Sequence, residues 1–125
     1  AALQAQKALA MNAEDPKKSC GDAKPSVRFM PLAPILDVAR VFESGAAKYG
    51  LRNCEAQPIA YSTYYSAIFR HLIEWFECGE DADADSGQHP LAHVVASCLI
   101  VMDSEARGTG IDDRHNVEAK TGAQL

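Results

Sequence analysis

The stretch Leu91-Ala92-His93-Val94-Val95-Ala96-Ser97-Cys98-Leu99-Ile100-Val101-Met102 is apolar nearly all round when wound at the helical period. A helix with so little polar face must be enclosed on most sides. Pro90 suits a first helical position, where the N–H that proline lacks would have no intrahelical partner, so the predicted helix runs from Pro90 to about Glu105. Two amphipathic periods precede it. The first, from about Pro34 to Tyr49, carries Ile35, Val38, Val41, Phe42 and Tyr49 on its apolar side and is closed by Gly50. The second, from about Tyr61 to Cys78, sets Tyr64, Tyr65, Ile68, Leu72, Trp75 and Phe76 toward a core, against a polar strip of Ser66, Arg70, Glu74 and Glu77, and ends at Gly79. No segment alternates as a strand would, and the β-branched residues cluster inside the third period. The expected fold class is all-α, a bundle of three main helices. A domain this small buries too little of its surface to enclose the third helix, so the bundle is expected to be completed by oligomerisation with a second subunit.

A chain of 125 residues has room for one such domain. Residues 1–28 read as an N-terminal extension with a short helix over 2–10, residues 29–106 as the helical domain, and 107–125, where Gly108, Gly110 and Gly122 sit among polar residues, as a loosely held tail. Seventeen acids against twelve Lys and Arg give a formal charge of −5, the wrong sign for a partner that is polymeric nucleic acid. The longest apolar run is far short of the ~20 residues a membrane helix needs, so no membrane partner is expected. Cys20, Cys54, Cys78 and Cys98 form no CxxC pair, and no signal-like apolar stretch precedes them. Cys78 and Cys98 fall in apolar helical patterns and read as small buried hydrophobes, so the cysteines are expected reduced and the protein cytoplasmic.

The chemistry-bearing residues gather between the second and third helical periods. Projected at ~100° per residue, Arg70, Glu74 and His71 occupy adjoining strips of the second helix. Glu80-Asp81-Ala82-Asp83-Ala84-Asp85 puts four acids in six residues and leads into Ser86-Gly87-Gln88-His89, with His93 one turn into the third helix. Such carboxylates repel one another unless solvated or neutralised, and hard divalent ions take oxygen ligands, so Mg2+ or Mn2+ and a solvated acidic loop both fit. An EF-hand does not: Asp81, Asp83 and Asp85 match its first ligands, but Ser86 replaces the required Gly and Ala92 the bidentate Glu. A lone His93 on an apolar helix reads as a core histidine, whereas His71, His89 and His93 beside an acidic loop read as a site. Glu74 and Glu77 also fit as surface partners of Arg70. Lys48, Tyr49 and Asn53 form a polar end to the first helix. There is no His-Asp dipeptide, no GxxxxGK[ST] loop and no GxGxxG.

Taken as an ordered set, Gly45-Ala46-Ala47-Lys48-Tyr49-Gly50 with Asn53, Arg70-His71-Leu72, Gly79-Glu80 and Asp83-x-Asp85-Ser86-Gly87-x-His89-x-Leu91-Ala92-His93 resembles a phage family of all-α dATP/dGTP diphosphohydrolases related to the MazG pyrophosphohydrolases. The resemblance covers about residues 24–105. It implies a MazG-like helical fold and a metal-dependent hydrolase that converts dGTP, or dATP as the second purine, to nucleoside monophosphate and pyrophosphate. The resemblance also implies that the product feeds phage 2-aminoadenine nucleotide synthesis. The Glu-Glu-x-x-Glu and Glu-x-x-Asp motifs of the wider MazG group fall on Arg70–Glu74 and Pro90–His93, and only Glu74 keeps its carboxylate. The resemblance therefore implies a metal set of the subfamily's own, His71, Glu80, Asp83, Asp85, His89 and His93 with Glu74, around two or more Mg2+ or Mn2+ ions. Glu74 ligates an ion or orients the attacking water, Arg70 and Lys48 grip phosphates, and Tyr49 and Asn53 meet the base. Partners would be the purine deoxynucleoside triphosphate and copies of the same chain, as dimer or tetramer. The competing expectation is a non-enzymatic, metal-dependent nucleotide-binding or assembly module.

Overall fold

Proline and glycine mark several of the helix ends. In the computed structural model, which describes residues 1–4 and 15–115, two compact units divide the chain at Pro31 and Leu32. In the first unit, α1 (Pro16–Asp22) is capped by Asp15, whose carboxylate accepts the Lys17 N–H at 3.0 Å. A single 3-10 turn follows at Val27–Phe29, with the Arg28 guanidinium 4.9 Å from the centre of the Phe29 ring. The helix expected over residues 2–10 lies mostly outside the described residues.

The second unit contains α2 (Leu32–Tyr49), the short α3 (Asn53–Ala56), β1 (Ile59–Ala60), α4 (Tyr61–Phe76), α5 (Pro90–Arg107) and β2 (Gly110–Ile111). The all-α reading holds, and the three long helices fall where the apolar periods put them. Gly50 ends α2 at φ +94° and Gly108 caps α5 at φ +69°, left-handed positions that cost glycine little. His89 opens α5: its Nδ1 accepts the Leu91 N–H at 3.1 Å, and Pro90 follows at the first helical position. α5 lies against both α4 and α2. Val38 meets Ala92 and Ala96, with Val41 packed beside them, and the small alanines let the helices approach closely.

Two short strands pair in parallel, Ile59 with Gly110 and Ala60 with Ile111. Beyond them Asp113 accepts the Ser62 N–H at 2.9 Å and also bonds the Ser62 hydroxyl, so it caps the start of α4 from across the chain. The Arg114 guanidinium lies 5.6 Å from the centre of the Tyr61 ring. Residues 109–114, expected in a loose tail, are thus tied to α4; residues 116–125 lie outside the described part.

The apolar faces are less covered than their periodicity suggests. Tyr65, Leu72 and Phe76 of α4, read as buried, are exposed, together with Phe69 and Ile73. Val95, Leu99 and Met102 form a like stripe on α5. Cys78 and Cys98 are likewise exposed rather than buried, and with Cys20 they are free thiols. No element among the described residues covers these stripes. Among the described residues, no helix is long and apolar enough to cross a membrane.

Candidate active site

The loop between α4 and α5 folds around one aspartate. Asp83 accepts the backbone N–H groups of Asp85 and Ser86 through Oδ2 at 3.1 and 2.9 Å, and its own N–H donates to the Gln88 carbonyl at 2.7 Å. Aspartate takes this role readily because its short carboxylate reaches amides two and three residues ahead. The turn aims the carboxylate back at the helices. Its Oδ1 lies 3.8 Å from His71 Nδ1 on α4, and Oδ2 lies 3.8 Å from His93 Nε2 on α5.

On α4, His71 and Glu74 are one turn apart and meet at 3.1 Å between Nδ1 and Oε2. His71 and His93 stack across the helix interface, centroids 4.4 Å apart and planes 15° from parallel. The His93 Nε2 is 2.5 Å from Ser86 Oγ, which also accepts the Gln88 N–H at 3.1 Å. Burial disfavours the charged form of His93 and the neighbouring His71 adds to this, so its pKa lies below the ordinary imidazole value despite Asp83 and Glu74. For Asp83 burial pushes the pKa upward. The two turn amides, with His93 and His71 beyond them, outweigh it and hold the carboxyl below the usual range.

His71, Glu74 and Asp83 each offer one ligand atom, all within 4.8 Å of one another. One imidazole nitrogen and two carboxylate oxygens suit a divalent cation, and the oxygen majority favours Mg2+ or Mn2+ over softer ions. The other expected ligands are engaged differently. Asp85 forms an ion pair with Lys48 from α2. Hydrogen bonding to Asp85 is the main reason that the Lys48 pKa is raised. His89 caps α5, and its Nε2 lies 3.8 Å from Asp81. Glu80 is exposed, with its N–H bonded to the Glu74 carbonyl at 3.1 Å.

On the other side of His93 a cavity of about 260 Å³ opens between α2 and α5. Lys48, Tyr49 and Asn53 line it, with Asp85 and Ser86 at the loop end. Arg70 is exposed on α4 and does not line it. Arg52, Tyr64, Ser86 and Ser97, to which the sequence assigns no site role, also line it. Ser97 carried a usable signal, one helical turn beyond His93. Arg52 carried none, since its place depends on a left-handed backbone at φ +53°.

The geometry can be set beside known families. A family model described as dATP/dGTP diphosphohydrolase, N-terminal, matches residues 14–114. The chain belongs to that family. No curated protein and no solved structure matches it. The dATP/dGTP diphosphohydrolase family is the one that the Lys48–Asn53, Arg70–His71 and Asp83–His93 motifs resemble, and its name makes the chain a hydrolase of nucleotides.

Proposed function

We propose that this member of the family is a metal-dependent pyrophosphohydrolase that converts dGTP or dATP to the nucleoside monophosphate and pyrophosphate. The observation that carries the reading is the meeting of His71, Glu74 and Asp83 close to one end of the cavity lined by Lys48, Tyr49 and Asn53. Bound divalent cations supply charge against the triphosphate and acidify water. The chain's own groups do the positioning. Lys48 exchanges Asp85 for a phosphate oxygen, so it enters the reaction already held at the cavity wall. Tyr49 stacks on the base and Asn53 offers it a paired donor and acceptor. Glu74 accepts a proton from the attacking water, whose oxygen bonds to the α-phosphorus as the bond to the bridging oxygen breaks and pyrophosphate leaves. Arg70, exposed one residue before His71, meets the outgoing pyrophosphate, where a fork of donors suits phosphate.

The exposed stripes of α4 and α5 support a homo-oligomer, dimer or tetramer, as the form in which this site works. A second ion would draw on the remaining loop acids Glu80 and Asp85, together with His89. Within a phage-infected cell, the monophosphate product would enter 2-aminoadenine nucleotide synthesis in the cytoplasm.

Incubation of the purified chain with Mn2+ and each of the four deoxynucleoside triphosphates tests the reaction class. Pyrophosphate and monophosphate are expected, with purines preferred. Release of triphosphate, or ligand binding without turnover, overturns the reading, and the second outcome would make the chain a nucleotide-binding module.

A further inference from the structure

His93 has one ring nitrogen directed at the acidic loop, and Ser86 occupies it. The Ser86 Oγ accepts the Gln88 N–H at 3.1 Å and meets His93 Nε2 at 2.5 Å, so this ring nitrogen is engaged by a hydroxyl. The same nitrogen stands 3.8 Å from Asp83 Oδ2, beside the group formed by His71, Glu74 and Asp83. Stacking on His71 holds the ring in plane, and the Asp83 turn fixes Ser86 in place. Every constraint on His93 keeps Nε2 on a hydroxyl rather than on an ion.

We infer that Ser86 withholds His93 from the cation and so sets the site's metal selectivity, limiting the donor set to one imidazole and two carboxylates. Two imidazoles with carboxylate form the kind of donor set that suits zinc, whereas a set dominated by oxygen suits Mg2+ and Mn2+. Ser86 acts as a positioning residue in this account, through the ring of His93. The inference rests on the reading of His71, Glu74 and Asp83 as the cation site.

The test compares Mn2+ and Zn2+ binding to the full chain by titration calorimetry in wild type, Ser86→Ala and Ser86→Thr. Residues that orient ligands commonly change metal affinity by about 10 to 100-fold, so Ser86→Ala is expected to raise the Zn2+ to Mn2+ affinity ratio by at least about tenfold. Ser86→Thr, which keeps the hydroxyl, should retain the wild-type ratio. An unchanged ratio in Ser86→Ala with normal helicity overturns the role of Ser86 alone. Absence of any cation binding in wild type overturns the site itself and this inference with it. If Ser86→Ala does not fold, nitrogen-15 spectra of the wild-type imidazoles during Mg2+ addition decide the matter. His71 should respond while His93 Nε2 remains unligated, and direct ligation by His93 overturns the inference.

Discussion

Asp83 holds the turn and faces His71 and Glu74 in the proposed cation group, and two substitutions separate these roles. Asp83→Asn keeps an acceptor oxygen for the Asp85 and Ser86 amides but removes the charge. Asp83→Ala removes both. Hydrogen bonds to a charged acceptor contribute about 1.5–3 kcal/mol each, and the exposure of the Asp85 bond places this pair near the lower end, so Asp83→Ala should cost about 3 kcal/mol. Asp83→Asn keeps neutral versions of both bonds and should cost about 1 kcal/mol. At roughly 4–8 °C per kcal/mol for a domain of this size, the alanine variant should melt at least about 8 °C below the asparagine variant. Urea or thermal unfolding followed by circular dichroism measures the difference. Both variants should lose Mn2+ binding and turnover, because neither supplies the second carboxylate of the group. An asparagine variant that binds Mn2+ like wild type would refute the ligand assignment. An alanine variant as stable as the asparagine one would refute the account of the turn.

Other consequences can be checked alongside. Lys48→Met breaks an exposed ion pair with Asp85, so the melting temperature should hardly move while KM for the triphosphate rises by about tenfold or more in steady-state assays. Because His93 is held neutral by burial, the unfolded chain binds the extra proton as pH falls below about 6.5, the ordinary imidazole value. Stability should therefore fall between pH 7 and pH 5, and His93→Gln should flatten that part of the urea-midpoint profile. The depressed Asp83 carboxyl adds a separate loss at lower pH, below the ordinary carboxylate range. Phe69→Glu or Leu99→Glu, each placing a charge on an exposed apolar stripe, should shift the particle mass toward a single chain in light scattering. An unchanged mass in both would count against a partner copy on those faces.

The helices were legible because their signals are local. Pro90 and Gly108 bracket α5, and Gly50 closes α2. Lys48, Tyr49 and Asn53 could be placed together because they end one helix and begin the next, and they do line one cavity. What periodicity could not tell was which apolar stripe its own chain covers. Tyr65, Leu72 and Phe76 keep to helical spacing as Tyr64 and Ile68 do, yet Tyr65, Leu72 and Phe76 are exposed. The acidic loop was legible as chemistry but not as geometry. Nothing in its spacing says that Asp83 turns inward while Asp85 pairs with Lys48, because that choice belongs to the backbone turn. Ser86 stands in the loop motif with no role that the sequence can show, since a hydroxyl gains meaning only from the ring it meets.

The small parallel seam between β1 and β2 also divides the molecule's labour. With Asp113 joined to Ser62 across 51 positions, it gathers α4, the acidic loop and α5 into one enclosed span. His71, Glu74, Asp83 and Ser86 all lie within that span, whereas Lys48, Tyr49 and Asn53 come before it. Closing so long a span costs chain entropy, so the helical hairpin inside it should form early and the seam late. On the proposed reading, the stretch that discriminates among nucleobases can then be redesigned by segment exchange upstream of Ile59, leaving the charge-holding hairpin whole.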